Sequence, residues 1–190
     1  MPASDPSAHA ATPVDTGTVV IARQPIMDAQ REVVAYELFD RSTVSHNAAS
    51  DVALVFNAMT HTGNESLVGK MTIFVNCTHE SLSGGHLDLI QPEKVVLEVG
   101  PVPGHAPADI AARQQTLQEL HQRGFRLAFN HTVLAPIYAA WQPLASYVKL
   151  DLMALKPEQL QAIVAAVKAR TPAAVVAEKV ETVEQFSALL

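Results

Sequence analysis

The sequence predicts an α/β fold built on a parallel sheet, either left open or closed as a (β/α) barrel. From residue 72 onward, strand-length apolar runs alternate with helical patterns. Those runs are continuously apolar, as expected of strands covered on both faces. Helix punctuation falls between them, with Gly124 as a stop and Pro157 as a start. No solenoid-type repeat is visible.

The first elements are VVIAR (19–23) and VVAYELF (33–39), which flank the polar turn PIMDAQRE and read as a hairpin. Residues 47–62 place Val52, Val55, Phe56 and Met59 on one helical face, with Gly63 to end that helix. TIFVN (72–76) and KVVLEV (94–99) are the next strands. A helix over Asp109 to Arg123 turns Ile110, Leu117 and Leu120 inward. Then come FRLAF (125–129), a short helix around Pro136 to Trp141, and the strand YVKLD (147–151). The helix opened by Pro157 carries Leu160, Ile163, Val164 and Val167, and AAVVAE (173–178) follows as a strand. Thr182 and Gln185 have capping-box spacing, so a last helix starts there. Only FSALL is left to fill it, and a helix that short is marginal alone. A closed barrel would want one more strand, so the expected barrel is incomplete at its C-terminal edge.

Composition narrows the function. With 190 residues and 48% hydrophobic content, the chain can bury one real core. Thirteen Lys+Arg against 19 Asp+Glu leave a net charge of -6, which argues against nonspecific nucleic-acid binding. A single cysteine, Cys77, excludes an internal disulfide and fits a cytoplasmic setting. Residues 1–17 are rich in Ala, Pro and Ser, without a basic or apolar signal region, and are expected to be a disordered leader. No apolar run approaches the ~18 residues of a membrane span, so no membrane partner is expected.

The chemistry should sit at the C-terminal ends of the strands. Those ends carry Glu37, Asn76, Glu98, Asn130 with His131, Lys149 with Asp151, and Glu178 with Glu181. Carboxylates, an amide and a lysine are the components of a divalent-cation site, because hard cations want oxygen ligands. Two such ions can activate water and hold a phosphate. The other polar features read as structural. Cys77 is expected in the core, and Trp141 is expected to pack the barrel. Gly84 and Gly85 form a turn without the Lys-Ser/Thr of a phosphate loop. The eight histidines lack metal-binding spacing and are expected mostly at the surface.

Six segments in order carry a family resemblance: RQPIMD, YELFDR, FVNCT, LEV, VKLD and AEKVET. Together they resemble the EAL family of cyclic di-GMP phosphodiesterases, from about residue 19 to the end. They look closest to the branch in which an EAL-like domain precedes an HDOD domain. The resemblance implies an EAL-type TIM-like barrel over 18–190, cut before the family's last strand. It implies metal-ligand positions at Glu37, Asn76 and Glu98. Lys149 falls at the lysine that helps activate water, and Glu178 and Glu181 fall at the late glutamates. Gln24 and Arg41 match positions that touch the dinucleotide.

The departures shape the functional expectation. The family's aspartate pair is Asn130 and His131 here, the second glutamate of its L-E-x-T-E strand is Pro101, and the middle alanine of E-A-L is Leu38. Losing two carboxylates should cripple a two-ion site, leaving vestigial residues that Lys149 and a charged His131 neutralise. The expectation is therefore a catalytically inactive signalling domain, not an enzyme, acting through a protein partner or self-association. No cofactor is expected, with Mg or Mn needed only for residual activity. The alternatives are a cyclic di-GMP receptor that does not hydrolyse its ligand, and a weak metal-dependent phosphodiesterase.

Overall fold

The computed structural model describes residues 21–40 and 71–189. The leader, the helix expected over 47–62 and Arg41 lie outside the described residues. Within them, seven strands form one sheet in chain order. They are β1 (Ile21–Met27), β2 (Val33–Asp40), β3 (Thr72–Cys77), β4 (Val95–Val99), β5 (Arg126–Asn130), β6 (Ala145–Asp151) and β7 (Ala174–Glu178). β1 pairs antiparallel with β2, and every later pair is parallel. A mostly parallel sheet in sequential order, with helical crossovers, is an incomplete (β/α) barrel, as the alternation of apolar runs predicts.

The hairpin departs from expectation in its turn. Residues 25–27 continue β1 and are not part of the loop. Pro25 is tolerated there because, among the described residues, β1 pairs only with β2. The turn is confined to residues 28–32, where Asp28 Oδ1 accepts the backbone N–H groups of Gln30 and Glu32.

Three helices follow: α1 (Pro107–Gln122), α2 (Pro157–Arg170) and α3 (Val183–Ala188). Gly124 ends the α1 segment at φ 93°, a left-handed value that favours glycine. The capping box forms as expected, with Thr182 Oγ1 accepting from Gln185 N and Gln185 Oε1 accepting from Thr182 N. The short helix expected around Pro136 to Trp141 resolves into two 3-10 turns, Pro136–Tyr138 and Gln142–Leu144. Pro143 lacks the N–H and crowds the carbonyl that a continuous α-helix would need there.

Side chains alternate across the strands and so sort into two layers. Ile73, Val75, Val95, Leu97, Leu127, Phe129, Val148 and Leu150 point outward and pack with Ile110, Leu117 and Leu120 of α1 and Val167 of α2. Trp141 is buried in this layer against Phe129 and Tyr138, with ring centroids 5.8 and 4.9 Å away. The inner layer is smaller: Ala35, Phe74, Val96 and Ala128, with Tyr147 against them. Phe74 and Tyr147 meet edge to face at 5.0 Å. At the N-terminal end of the strands, Arg126 donates to Thr72 Oγ1 at 3.1 Å and to the Glu93 carbonyl at 2.6 Å. Polar chemistry is thereby pushed to the opposite end. Among the described residues, no helix is long and apolar enough to cross a membrane.

Leu97 is fully buried at the centre of the sheet, whereas Met153 is 69% exposed. Leu97→Ala is expected to lose about 2–5 kcal/mol in urea unfolding. Met153→Ala should stay within about 0.5 kcal/mol of the parent.

Candidate functional site

The two-residue period of the strands builds the site. On β2, Ala35 lies in the inner layer, so Glu37 points the same way one step further up. The same offset carries Phe74 to Asn76, Val96 to Glu98, Ala128 to Asn130 and Tyr147 to Lys149. Asn76 pairs with Glu98 and Asn130 with Lys149, whereas Glu37 stands beside Phe74, Glu98 beside Ala128 and Lys149 beside Val176, so the polar ends climb by two residues at those three strand pairs. Six adjacent strands thus bring their polar ends to one rim above an apolar floor.

At the centre of that rim is Lys149, with 1% of its side chain exposed. Its Nζ donates to Glu37 Oε1 at 3.0 Å, Glu98 Oε2 at 2.5 Å and Glu178 Oε1 at 2.6 Å. An ammonium has three donors, so each carboxylate takes one. Burial alone would lower the Lys149 pKa, but Glu98, Glu178 and Glu37 outweigh it and hold the pKa above the usual lysine range. Lys149 is therefore charged. One ammonium cannot neutralise three carboxylates, and the excess falls on Glu98. Burial raises its pKa to about 7; Lys149 opposes the rise, and Glu37 and Glu178 add to it.

The donor set also fits a metal ion. Among the described residues, Glu37, Glu98 and Glu178 form a group able to hold a cation, with ligand oxygens within 4.8 Å of one another. Asn76 Nδ2 reaches Glu37 Oε1 at 3.4 Å, leaving its amide oxygen as the atom it can offer. These oxygens suit one hard dication, and Lys149 occupies the same cluster as an internal monocation.

The remaining sequence-derived candidates lie elsewhere. Asn130 Oδ1 is engaged locally, accepting from Thr132 N at 3.1 Å and Thr132 Oγ1 at 2.5 Å, so it caps the 3-10 turn His131–Leu134. His131 begins that turn, half-buried and outside the carboxylate group, so among the described residues Lys149, without His131, bridges the three glutamates. Asp151 faces Lys179, whose Nζ donates to Asp151 Oδ2 at 2.5 Å and holds that carboxyl below its usual range. Glu181 is exposed, and its backbone N–H joins the α3 cap. Gln24 is exposed on β1 directly opposite Glu37. Leu38 is buried in the outer layer, and Cys77 is half-buried against it.

Two features escaped sequence reading. Pro101 supplies no side-chain hydrogen bond, but Tyr138 braces the same loop: its hydroxyl accepts from Val102 N at 3.0 Å and meets His105 Nδ1 at 2.9 Å. The only sequence signal was a tyrosine in an apolar segment. The histidines are expected mostly at the surface, yet both ring nitrogens of His79 are buried.

The curled, mostly parallel half-barrel matches the TIM-like fold of EAL domains, and its acidic, lysine-centred rim lies at the strand ends. The chain is a homologue of cyclic di-GMP phosphodiesterase CdgJ of Vibrio cholerae serotype O1, 29% identical over 178 residues and 89% of this chain. It spans 40% of that relative's length. The Bacillus subtilis YkuI protein, solved with an EAL domain, cyclic di-GMP and calcium, shares the fold with a TM-score of 0.64. That match has 18% identity and covers 87% of this chain and 49% of the other. Klebsiella pneumoniae BlrP1, solved with manganese and cyclic di-GMP, gives a TM-score of 0.64 at 20% identity, covering 95% and 54%. No family model matches the chain.

The relative named as a phosphodiesterase overturns the expectation that this chain is not an enzyme. That expectation weighed the lost aspartate pair and gave too little weight to the three glutamates and the lysine, which do converge.

Two predictions follow from the cluster. Lys149→Met leaves three carboxylates around an apolar side chain and should cost about 3–5 kcal/mol in chelator. Millimolar Mn²⁺ should restore part of that loss, read as a rise in the unfolding midpoint; a midpoint indifferent to Mn²⁺ would contradict the cation fit. The second concerns pH. Burial raises the Glu98 pKa to about 7 in the folded protein, against 4.5 for an unperturbed glutamate. The native state then binds the extra proton between these values, so this contribution is full below pH 4.5 and is lost as pH rises through 7. In metal-free protein, stability should fall across that window, and Glu98→Gln should flatten the fall. Urea midpoints measured at several pH values check this.

Proposed function

We propose that the domain acts on cyclic di-GMP, cleaving a phosphodiester with the help of one divalent cation at the rim. The observation that carries this reading is the convergence of Glu37, Glu98 and Glu178 on a single point already occupied by positive charge. The homology to a cyclic di-GMP phosphodiesterase supports the substrate class.

Glu37, Glu98 and Glu178, with the Asn76 amide oxygen, would hold Mg²⁺ or Mn²⁺. When bound, such an ion supplies a polarised phosphoryl group and a more acidic water. The chain's own residues do the rest. Glu98, whose burial raises its pKa to about 7, would bind such an ion as the carboxylate. Lys149, charged and anchored, remains beside the carboxylates to orient an anionic group. The apolar floor of Phe74, Val96, Ala128 and Tyr147 keeps water from approaching from below. Gln24, which pairs with Glu37 across the hairpin, would contact the nucleotide. Arg41 follows β2 in sequence, and a guanidinium there would suit a phosphate. With Asn130 Oδ1 committed to Thr132, this rim favours one ion over two.

A second role, regulation of a protein partner, draws support from β7. Among the described residues it pairs only with β6, and the adjoining Val183 is 65% exposed. An unpaired strand edge is a template for another chain. The partner would be an output domain or a second copy, in a cytoplasmic setting.

Calorimetric titration with cyclic di-GMP, with Mn²⁺ and with chelator, combined with product analysis, tests the first reading. Metal-dependent conversion to the linear dinucleotide is expected, and Glu37→Gln should abolish it. Binding unchanged by Mn²⁺ with no product after long incubation would refute it. Light scattering of the purified chain tests self-association separately.

A further inference from the structure

A second cation stands above the carboxylate cluster. On β6 the inward series of Tyr147 and Lys149 continues to Asp151, two residues and so about 6–7 Å further up the strand. Asp151 Oδ2 accepts from Lys179 Nζ at 2.5 Å, so that ammonium lies over the mouth of the half-barrel. The Lys179 side chain is 54% exposed, against 1% for Lys149. Lys149 spends its three N–H groups on Glu37, Glu98 and Glu178 and has none left for a ligand. Among the described residues, Lys179 is thus the ammonium at these strand ends that can still reach an incoming anion.

The Lys179–Asp151 pair is built to open. Asp151 Oδ1 accepts from the backbone N–H groups of Met153 at 2.9 Å and Ala154 at 3.3 Å, so the carboxylate keeps partners when the ammonium leaves. An exposed ion pair is in any case a weak tie. Lys179 also has φ 58°, a left-handed value that glycine adopts freely and lysine does not. Such backbone outliers gather where a side chain is put to use. Cyclic di-GMP carries two phosphodiesters with one negative charge on each. When one of them lies at the carboxylate cluster, the other stands a nucleoside away and needs a cation of its own. Resting on the substrate class proposed above, we propose that Lys179 is a specificity residue, which releases Asp151 and holds the uncleaved phosphodiester of cyclic di-GMP.

The test compares the full chain with Lys179→Gly and Lys179→Arg. Glycine suits the left-handed backbone, so the first variant is expected to fold; Lys179→Asn, which also tolerates that conformation, replaces it otherwise. Half-saturation by cyclic di-GMP is read from calorimetry in chelator and from initial rates with Mn²⁺, and either readout decides. Lys179→Gly is expected to raise it by on the order of tenfold. kcat should be unchanged, since the lost contact is made equally before and during reaction. Lys179→Arg should recover most of the loss. Bis(p-nitrophenyl) phosphate, a diester with a single phosphate, should react equally with parent and Lys179→Gly, whereas a merely structural role would slow both substrates alike. Three results would each overturn the inference and leave the phosphodiesterase reading standing: unchanged half-saturation in Lys179→Gly, an equal loss with the single-phosphate diester, or no recovery in Lys179→Arg. A parent that neither binds nor cleaves cyclic di-GMP would overturn both.

Discussion

A buried ammonium held by three carboxylates is the constraint around which the described half-barrel is organised. Lys149 has almost no contact with solvent, and its three partners come from β2, β4 and β7. Desolvating ions costs several kcal/mol each, and mutual attraction only roughly offsets it. Such a cluster is a poor way to add stability. It is a good way to keep negative charge concentrated at one point, because the attraction to Lys149 holds the carboxylates in place against their own repulsion. The register of the strands is then fixed, since a slip of one residue would turn a glutamate to the helix side.

The two ends of the sheet do different jobs with similar means. At the N-terminal end, Arg126 satisfies a backbone carbonyl and two hydroxyls, and the positive charge is spent on structure. At the C-terminal end, one positive charge faces three negative ones, leaving an imbalance that raises the Glu98 pKa. Phe74, Val96, Ala128 and Tyr147 separate the ends. The imbalance is what a dication would relieve, which links the packing of the floor to the chemistry proposed at the rim.

Much of this was legible in the sequence because it rests on short-range rules. Continuous apolar runs marked the buried strands, Gly124 and the Thr182–Gln185 pair marked helix ends, and strand termini named Glu37, Glu98, Lys149 and Glu178. Features that depend on long-range geometry were not legible. That Lys149 reaches all three glutamates requires the curl of the sheet, which joins residues up to 112 apart in sequence. The Asn130 oxygen is consumed two residues away by Thr132, a local turn preference that competes with any role as ligand. The Tyr138 brace and the buried ring of His79 arise from packing between α1 and neighbouring loops, which no periodicity encodes.

The left-handed backbone at Lys179 gives the three carboxylates unequal freedom. With φ 58°, this non-glycine residue sits in a sparsely populated conformation, and its side chain turns back to Asp151. Its neighbour Glu178 is the most solvent-accessible of the three, at 28%, and stands on a strand paired on one side among the described residues. Glu37 and Glu98 are fixed between flanking strands, so of the three carboxylates Glu178 has the fewest neighbours to hold its place beside the ammonium.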